Sequence, residues 1–134
     1  MIGLKILKNL GLFKAIDHNH KRFDRLAKRL ESPIEKIFWS AGYFELSKWG
    51  ELTPQVRVEG YRVDFAYLVG HHKIAIELDG YDYHSRPEQM ARDYSRQREL
   101  TRSGWIVYRF TGSDINGDVQ NCVREVVALV RGLE

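Results

Sequence analysis

The sequence predicts an α/β fold, a sandwich with helices flanking a small mixed sheet of about four strands. Three observations predict it. Segments with apolar residues at helical spacing stand at both ends of the chain. Between them, residues 54–78 read as three strands joined by tight turns. A further helical segment at 87–103 separates these from one more strand at 105–110. The order is therefore α-α-α-β-β-β-α-β-α.

The hairpin at the centre is the most informative stretch. Tyr61, Val63, Phe65 and Tyr67 alternate with Arg62, Asp64 and Ala66, the period of a half-buried strand. Gly70 and His71 supply the turn, and glycine at the first central position suits a type II′ loop. Lys73 to Leu78 forms the returning strand, with Ile74-Ala75-Ile76 buried on both faces. If Val69 pairs with His72, the register carries Asp64 directly opposite Glu77. Cβ atoms so paired lie roughly 4.5–5.5 Å apart, and like charges there repel. A hard divalent cation, which takes oxygen ligands, would resolve that repulsion. A slip of one residue would send the two acids to opposite faces.

The other elements follow in order. Residues 3–15 and 18–31 read as two helices. In the second, Phe23, Leu26, Ala27 and Leu30 form an apolar stripe, with Lys21, Arg22, Arg25, Lys28 and Arg29 largely outside it. Ser32 as N-cap, Pro33 at N1 and Glu35 at N3 predict a capping box opening a third helix. Its residues Ile37, Phe38, Ala41 and Phe44 are expected to face the core. Residues 50–53 read as a loop and Pro54 to Val58 as a strand, turning at Glu59-Gly60. Tyr81 to Arg86 is a loop, Pro87 opens a helix, and Gly104 ends it. In the next strand Ile106, Tyr108 and Phe110 alternate. Residues 111–117 read as a loop, and Val119 to Leu133 as a helix built on Val123, Val126, Val127 and Val130.

Composition bounds the function. The chain of 134 residues, 43% hydrophobic, fits one domain with an ordinary core. Its single cysteine, Cys122, excludes an internal disulfide and a zinc site of several thiolates. No apolar run approaches the ~18 residues of a membrane span. The apolar N-terminus is interrupted by Lys5, Lys8 and Lys14 and lacks a small-residue cleavage site. It is expected to be an amphipathic helix rather than a secretory signal, and the cytoplasm is the expected compartment. Net charge is +3, but residues 1–31 carry eight Lys/Arg against three Asp/Glu. We therefore divide the chain into a basic helical arm, 1–31, and an acid-bearing core, 32–134. A basic arm on such a core fits a protein that grips a polyanion and holds a cation. A plain solvated helix face would carry the same charges.

Asp64 and Glu77 lead the candidate residues. Asp79 shares the parity of Glu77 and is either a further ligand or the polar cap of the strand end. The capping box by itself accounts for Glu35, although a helix N-terminus could also bring this carboxylate to the metal face. His84, on the loop after the acids, is suited to proton transfer, and Asp93 could orient it or pair with Gln97 or Arg96. Arg92, Arg96, Arg98 and Arg102 line one helix and Arg109 follows. Arg62, Arg96 and Arg109 are the candidate phosphate contacts. Trp39, Trp49 and Trp105 are expected in or beside the core.

Four stretches, SPIE at 32–35, GYRVDFAY at 60–67, IAIELDGYDYH at 74–84 and RDYSRQRELTRSGWIVYRF at 92–110, carry a family likeness. Together they resemble the Vsr-like branch of the PD-(D/E)XK, restriction-endonuclease-like nuclease superfamily, over residues 32–116. The resemblance implies a DNA endonuclease that hydrolyses phosphodiester bonds with Mg²⁺, for which Mn²⁺ can substitute. It maps the catalytic roles onto Glu35, Asp64, Glu77, His84 and Asp93, with metal at Asp64 and Glu77; Asp79 joins them as a candidate metal ligand through its parity with Glu77, not through the resemblance. DNA is the implied partner, with a homodimer or a separate specificity domain as further expectations. The sequence departs from the family at two positions: Val63 replaces the proline, and Asp79 replaces the lysine of the E-x-K element. His84 could then supply the proton chemistry of that lysine, or Asp79 could hold a second metal. A single cysteine cannot build the structural zinc site of Vsr enzymes, so mismatch recognition does not transfer. The same residues also suit a non-catalytic DNA-binding module, or a nuclease selective for junctions or flaps.

Overall fold

A computed structural model describes the backbone of residues 2–80 and 86–134, with side chains from residue 14 onward. The elements are α1 (Ile2–Ala27), α2 (Pro33–Leu46), β1 (Glu51–Val58), β2 (Tyr61–Val69), β3 (His72–Asp79), α3 (Pro87–Arg102), β4 (Trp105–Thr111) and α4 (Gly112–Gly132). The strands form one mixed sheet in the order β1-β2-β3-β4. The first three are joined antiparallel, and β4 runs parallel to β3. This is the sandwich expected for a restriction-endonuclease-like fold.

Turn chemistry fixes the register. Gly70 takes φ +59° while His71 does not enter positive φ, as a II′ turn requires. Val69 faces His72, and the pairing runs back to Phe65 opposite Ile76, as the sequence predicts. The β1–β2 turn has both Glu59 and Gly60 at positive φ, the pattern of a I′ turn.

Two apolar clusters pack the sheet. On one face α1, α2 and α4 cover Leu52, Phe65, Tyr67, Ile74, Ile76 and Phe110 with Leu26, Phe38, Trp39, Tyr43, Val123 and Val126. On the other, Leu100 of α3 packs on Val58, Val63, Ala66 and Ala75. The stripe Phe23, Leu26, Ala27 and Leu30 reaches the first cluster, so the end of the basic arm is part of the packed body.

Several expectations are corrected. The two N-terminal helices are one, α1, because nothing between residues 15 and 18 breaks a helix. Residues 51–53 are strand rather than loop, paired with Ala66, Tyr67 and Leu68. Residues 112–117 are helical: Thr111 and Asp114 form a reciprocal capping box, and the chain bends at Asp118 before continuing as α4. Phe44 is exposed, while Trp39 and Tyr43 take the core-facing positions of α2. The face pattern of β2 also departs from strict alternation. Phe65 and Tyr67 join the first cluster but Tyr61 and Val63 the second, and Val56 and Val58 of β1 follow them. The two strands turn over together at Gln55, whose φ is +53°, and Asp64.

Candidate active site

Asp64 and Glu77 meet where the β2–β3 ladder stops. Beyond the Phe65–Ile76 pair, side chains take over from backbone partners. The Asp64 carboxylate accepts from the Leu78 N–H at 2.8 Å, and the Glu77 carboxylate accepts from the Asp64 N–H at 3.4 Å. The two acids do converge, but not as the directly opposed ladder pair that the register predicts, because the ladder ends at Phe65–Ile76.

Glu35 reaches the same place from the start of α2. Ser32 caps that helix by accepting from the Glu35 N–H at 3.3 Å. The reciprocal half of the expected box does not form, because the Glu35 carboxylate turns elsewhere. It accepts from Gln55 Nε2 at 2.5 Å and, weakly, from the Glu31 N–H at 3.5 Å. Glu35 and Glu77 are the buried charged residues of the described chain, 4% and 6% exposed.

This grouping acts on Asp64. Burial raises its carboxyl from an ordinary 3.8 to about 7, and repulsion from Glu77 and Glu35 adds to the rise, while the Leu78 N–H opposes it. No Lys or Arg pairs with Asp64 among the described residues. Glu77 differs, since Arg96 of α3 forms a buried ion pair with it. Arg96 also donates to the Arg62 carbonyl at 3.1 Å and lies over the Tyr61 ring.

The remaining candidates surround this centre. Asp79 lies 3.4 Å from Arg109 Nε, without hydrogen-bond alignment. Arg109 NH1 donates to Gln97, and NH2 lies 4.0 Å from Asp93. Asp79, Asp93 and Arg109 thus form an ionic group beside the acids, with Arg109 half-buried and engaged by these carboxylates and Gln97. Arg62 is the exposed one of the three arginines, bonded to Glu31 at 2.9 Å. His84 lies outside the described residues. Trp39 is buried, Trp49 and Trp105 half-buried. Burial also raises the Cys122 thiol, to about 11, as for a core thiol.

Among the described residues, no three His, Cys, Asp or Glu side chains close into a ready metal cage. The donor set nonetheless suits Mg²⁺. It is all carboxylate oxygen, and Asp64 stands beside two like charges with no cationic partner among the described residues. Arg96 supplies one positive charge where an ion would supply two.

Sequence reasoning missed Gln55 and the Arg96–Glu77 pair. Nothing in a Thr-Pro-Gln-Val run signals a left-handed backbone, and the ion pair depends on how α3 docks. The Thr111–Asp114 box has the spacing of a cap, a signal that the loop reading of 111–117 passed over.

Among the described residues, no helix is long and apolar enough to cross a membrane. Neither the curated proteins nor the solved structures gave a match. A family model named REase_MTES_1575, a restriction-endonuclease-like family, matches residues 38–130 and so takes in α2 from Phe38 through most of α4. With more than half of its length matched, and with the mixed sheet and flanking helices in place, the chain belongs to the REase_MTES_1575 family.

Proposed function

We propose that the protein is a Mg²⁺-dependent DNA endonuclease with a Vsr-like active site. The observation that carries this reading is the convergence of Asp64 and Glu77 at the open end of the hairpin, with Glu35 close enough to raise Asp64. Asp64 and Glu77 would hold the ion, with Glu35 completing its shell directly or through water. Asp79, one pleat further, would be a second-metal ligand or a strand-end cap. When bound, Mg²⁺ polarises a phosphoryl oxygen and lowers the pKa of its water.

The chain's own residues supply the rest. Ionised Asp64 and Glu77 make the site attractive to a cation. The Leu78 N–H and Asp64 N–H fix the two carboxylates in place. Arg62, exposed beside the site, can take a neighbouring phosphate bidentately. Arg96 can turn from Glu77 to phosphate once an ion satisfies that carboxylate, and Arg109 would hold Asp79 and Asp93 meanwhile. His84, oriented by Asp93, would carry the proton.

One observation favours a second reading. Arg96 and Arg109 already neutralise Glu77 and Asp79, as a non-catalytic DNA-binding module on this fold would have it. Supercoiled plasmid separates the two. The nuclease reading expects cleavage in Mg²⁺, none in EDTA, and none from Asp64→Asn. The binding-module reading expects salt-dependent binding without cleavage. Forked and flapped duplexes beside a plain duplex test structure selectivity.

A further inference from the structure

Gln55 lies in the middle of β1 with φ +53°, a left-handed conformation that side chains disfavour and that collects at functional sites. It is not in a turn. Pro54 faces Phe65 and Val56 faces Val63 on either side of it, which leaves Gln55 across from Asp64. Its Nε2 donates to Glu35 Oε1 at 2.5 Å. The other donor to that oxygen, the Glu31 N–H, stands at 3.5 Å. A carboxylate buried this deeply takes its orientation from the good donor it has. The reversal of strand faces at Gln55 and Asp64 would by itself account for the backbone angle, but not for an amide delivered to a buried acid.

We propose that Gln55 is a positioning residue: its left-handed backbone delivers the side-chain amide to Glu35, fixing that carboxylate beside Asp64 and leaving Oε2 for a cation or its water. The inference rests on the metal-dependent reading above. It adds a residue from β1, an edge strand, to a site otherwise drawn from α2, β2, β3 and α3.

Two substitutions of the whole chain test it. Gln55→Gly removes the amide and suits the backbone angle. Gln55→Ala removes the amide and keeps the conformational cost. Mn²⁺ affinity is read by electron paramagnetic resonance, and melting temperature in EDTA is read alongside. Loss of an outer partner to a metal ligand weakens metal binding by roughly 10–100-fold, and both variants are expected in that range. Gln55→Gly is expected to melt no lower than Gln55→Ala, so that the loss of affinity is separated from loss of fold. Should Gln55→Ala fail to fold, Gln55→Gly carries the test alone. Wild-type affinity in Gln55→Gly would overturn the positioning role and leave the nuclease reading standing. No Mn²⁺ binding by the wild-type chain would overturn both.

Discussion

Asp64 and Glu77 are joined through backbone as well as by proximity: the Asp64 N–H donates to the Glu77 carboxylate at 3.4 Å. The Asp64 carboxylate accepts in turn from the Leu78 N–H at 2.8 Å. Each acid thus takes up a backbone donor of the opposite strand. The hairpin splays at this point and offers two carboxylates at one end of the sheet.

That arrangement makes stability depend on pH. The Asp64 carboxyl is raised in the fold from an ordinary 3.8 to about 7, so the folded chain keeps a proton that the unfolded chain has released. Stability falls as pH rises from about 4 to about 7, by about 4 kcal/mol as an upper bound. Below that window the group contributes no penalty, and above it the penalty is complete. Melting curves in EDTA should show a higher midpoint at pH 5 than at pH 8, and Asp64→Asn should flatten the difference. A midpoint that rises from pH 5 to pH 8 would contradict the burial of Asp64 among like charges. Mg²⁺ competes with that proton, so its stabilising effect should be larger at pH 8 than at pH 5.

Arg96 and a metal ion serve the same carboxylate. Glu77 is buried, and its partner is Arg96. Arg96→Met leaves that charge uncompensated and should cost about 3 kcal/mol in EDTA. Mg²⁺ should recover much of the loss, and chemical denaturation with and without Mg²⁺ reads both effects. Equal losses in the two conditions would mean that Glu77 takes no ion.

Arg62 should behave oppositely. Its pair with Glu31 is exposed on both sides and contributes about 0–1 kcal/mol. Arg62→Ala is expected to leave the melting temperature nearly unchanged. It should weaken duplex binding and lower the slope of log affinity against log salt by about one. Fluorescence anisotropy across a salt series gives that slope, and an unaltered slope would remove Arg62 from the phosphate contacts.

The start of β1 has a stringent steric test. A Cβ on Gly50 would lie 2.3 Å from the Leu68 carbonyl oxygen and 2.7 Å from a Val69 methyl. Gly50→Ala must push β1 from β2 and should cost about 3 kcal/mol in urea unfolding. A near-neutral result would mean that β1 does not begin beside Leu68.

Much of the architecture was readable where local chemistry and tertiary structure agree. Gly70 set the turn, and the turn set the register as far as Phe65–Ile76; beyond it Asp64 and Glu77 meet through side-chain contacts to the opposite backbone. Ser32 and Pro33 marked the start of α2, and Gly104 the end of α3. Local pattern failed where a longer-range demand overrode it. Alternation in β2 predicted one face for Val63 and Phe65, but the joint turnover of β1 and β2 at Gln55 and Asp64 sends them to different faces. Glu35 looked complete as a capping residue because its spacing from Ser32 suffices for a cap. Only the packed fold brings Gln55 to it. The arginines of α3 could not be divided by sequence into inner and outer, although Arg96 alone of that helix reaches Glu77. The roles proposed for Glu35, His84 and Asp93 rest on the resemblance to Vsr-type nucleases, since residue types and spacing left them open.

A crystal of the wild-type chain grown at pH 8 with Mn²⁺, measured at the manganese absorption edge, tests the sharing of an ion most directly. The expected result is an anomalous peak between the Asp64 and Glu77 carboxylates, with Arg96 turned away from Glu77. Glu77 still paired with Arg96, and no peak beside Asp64, would contradict it.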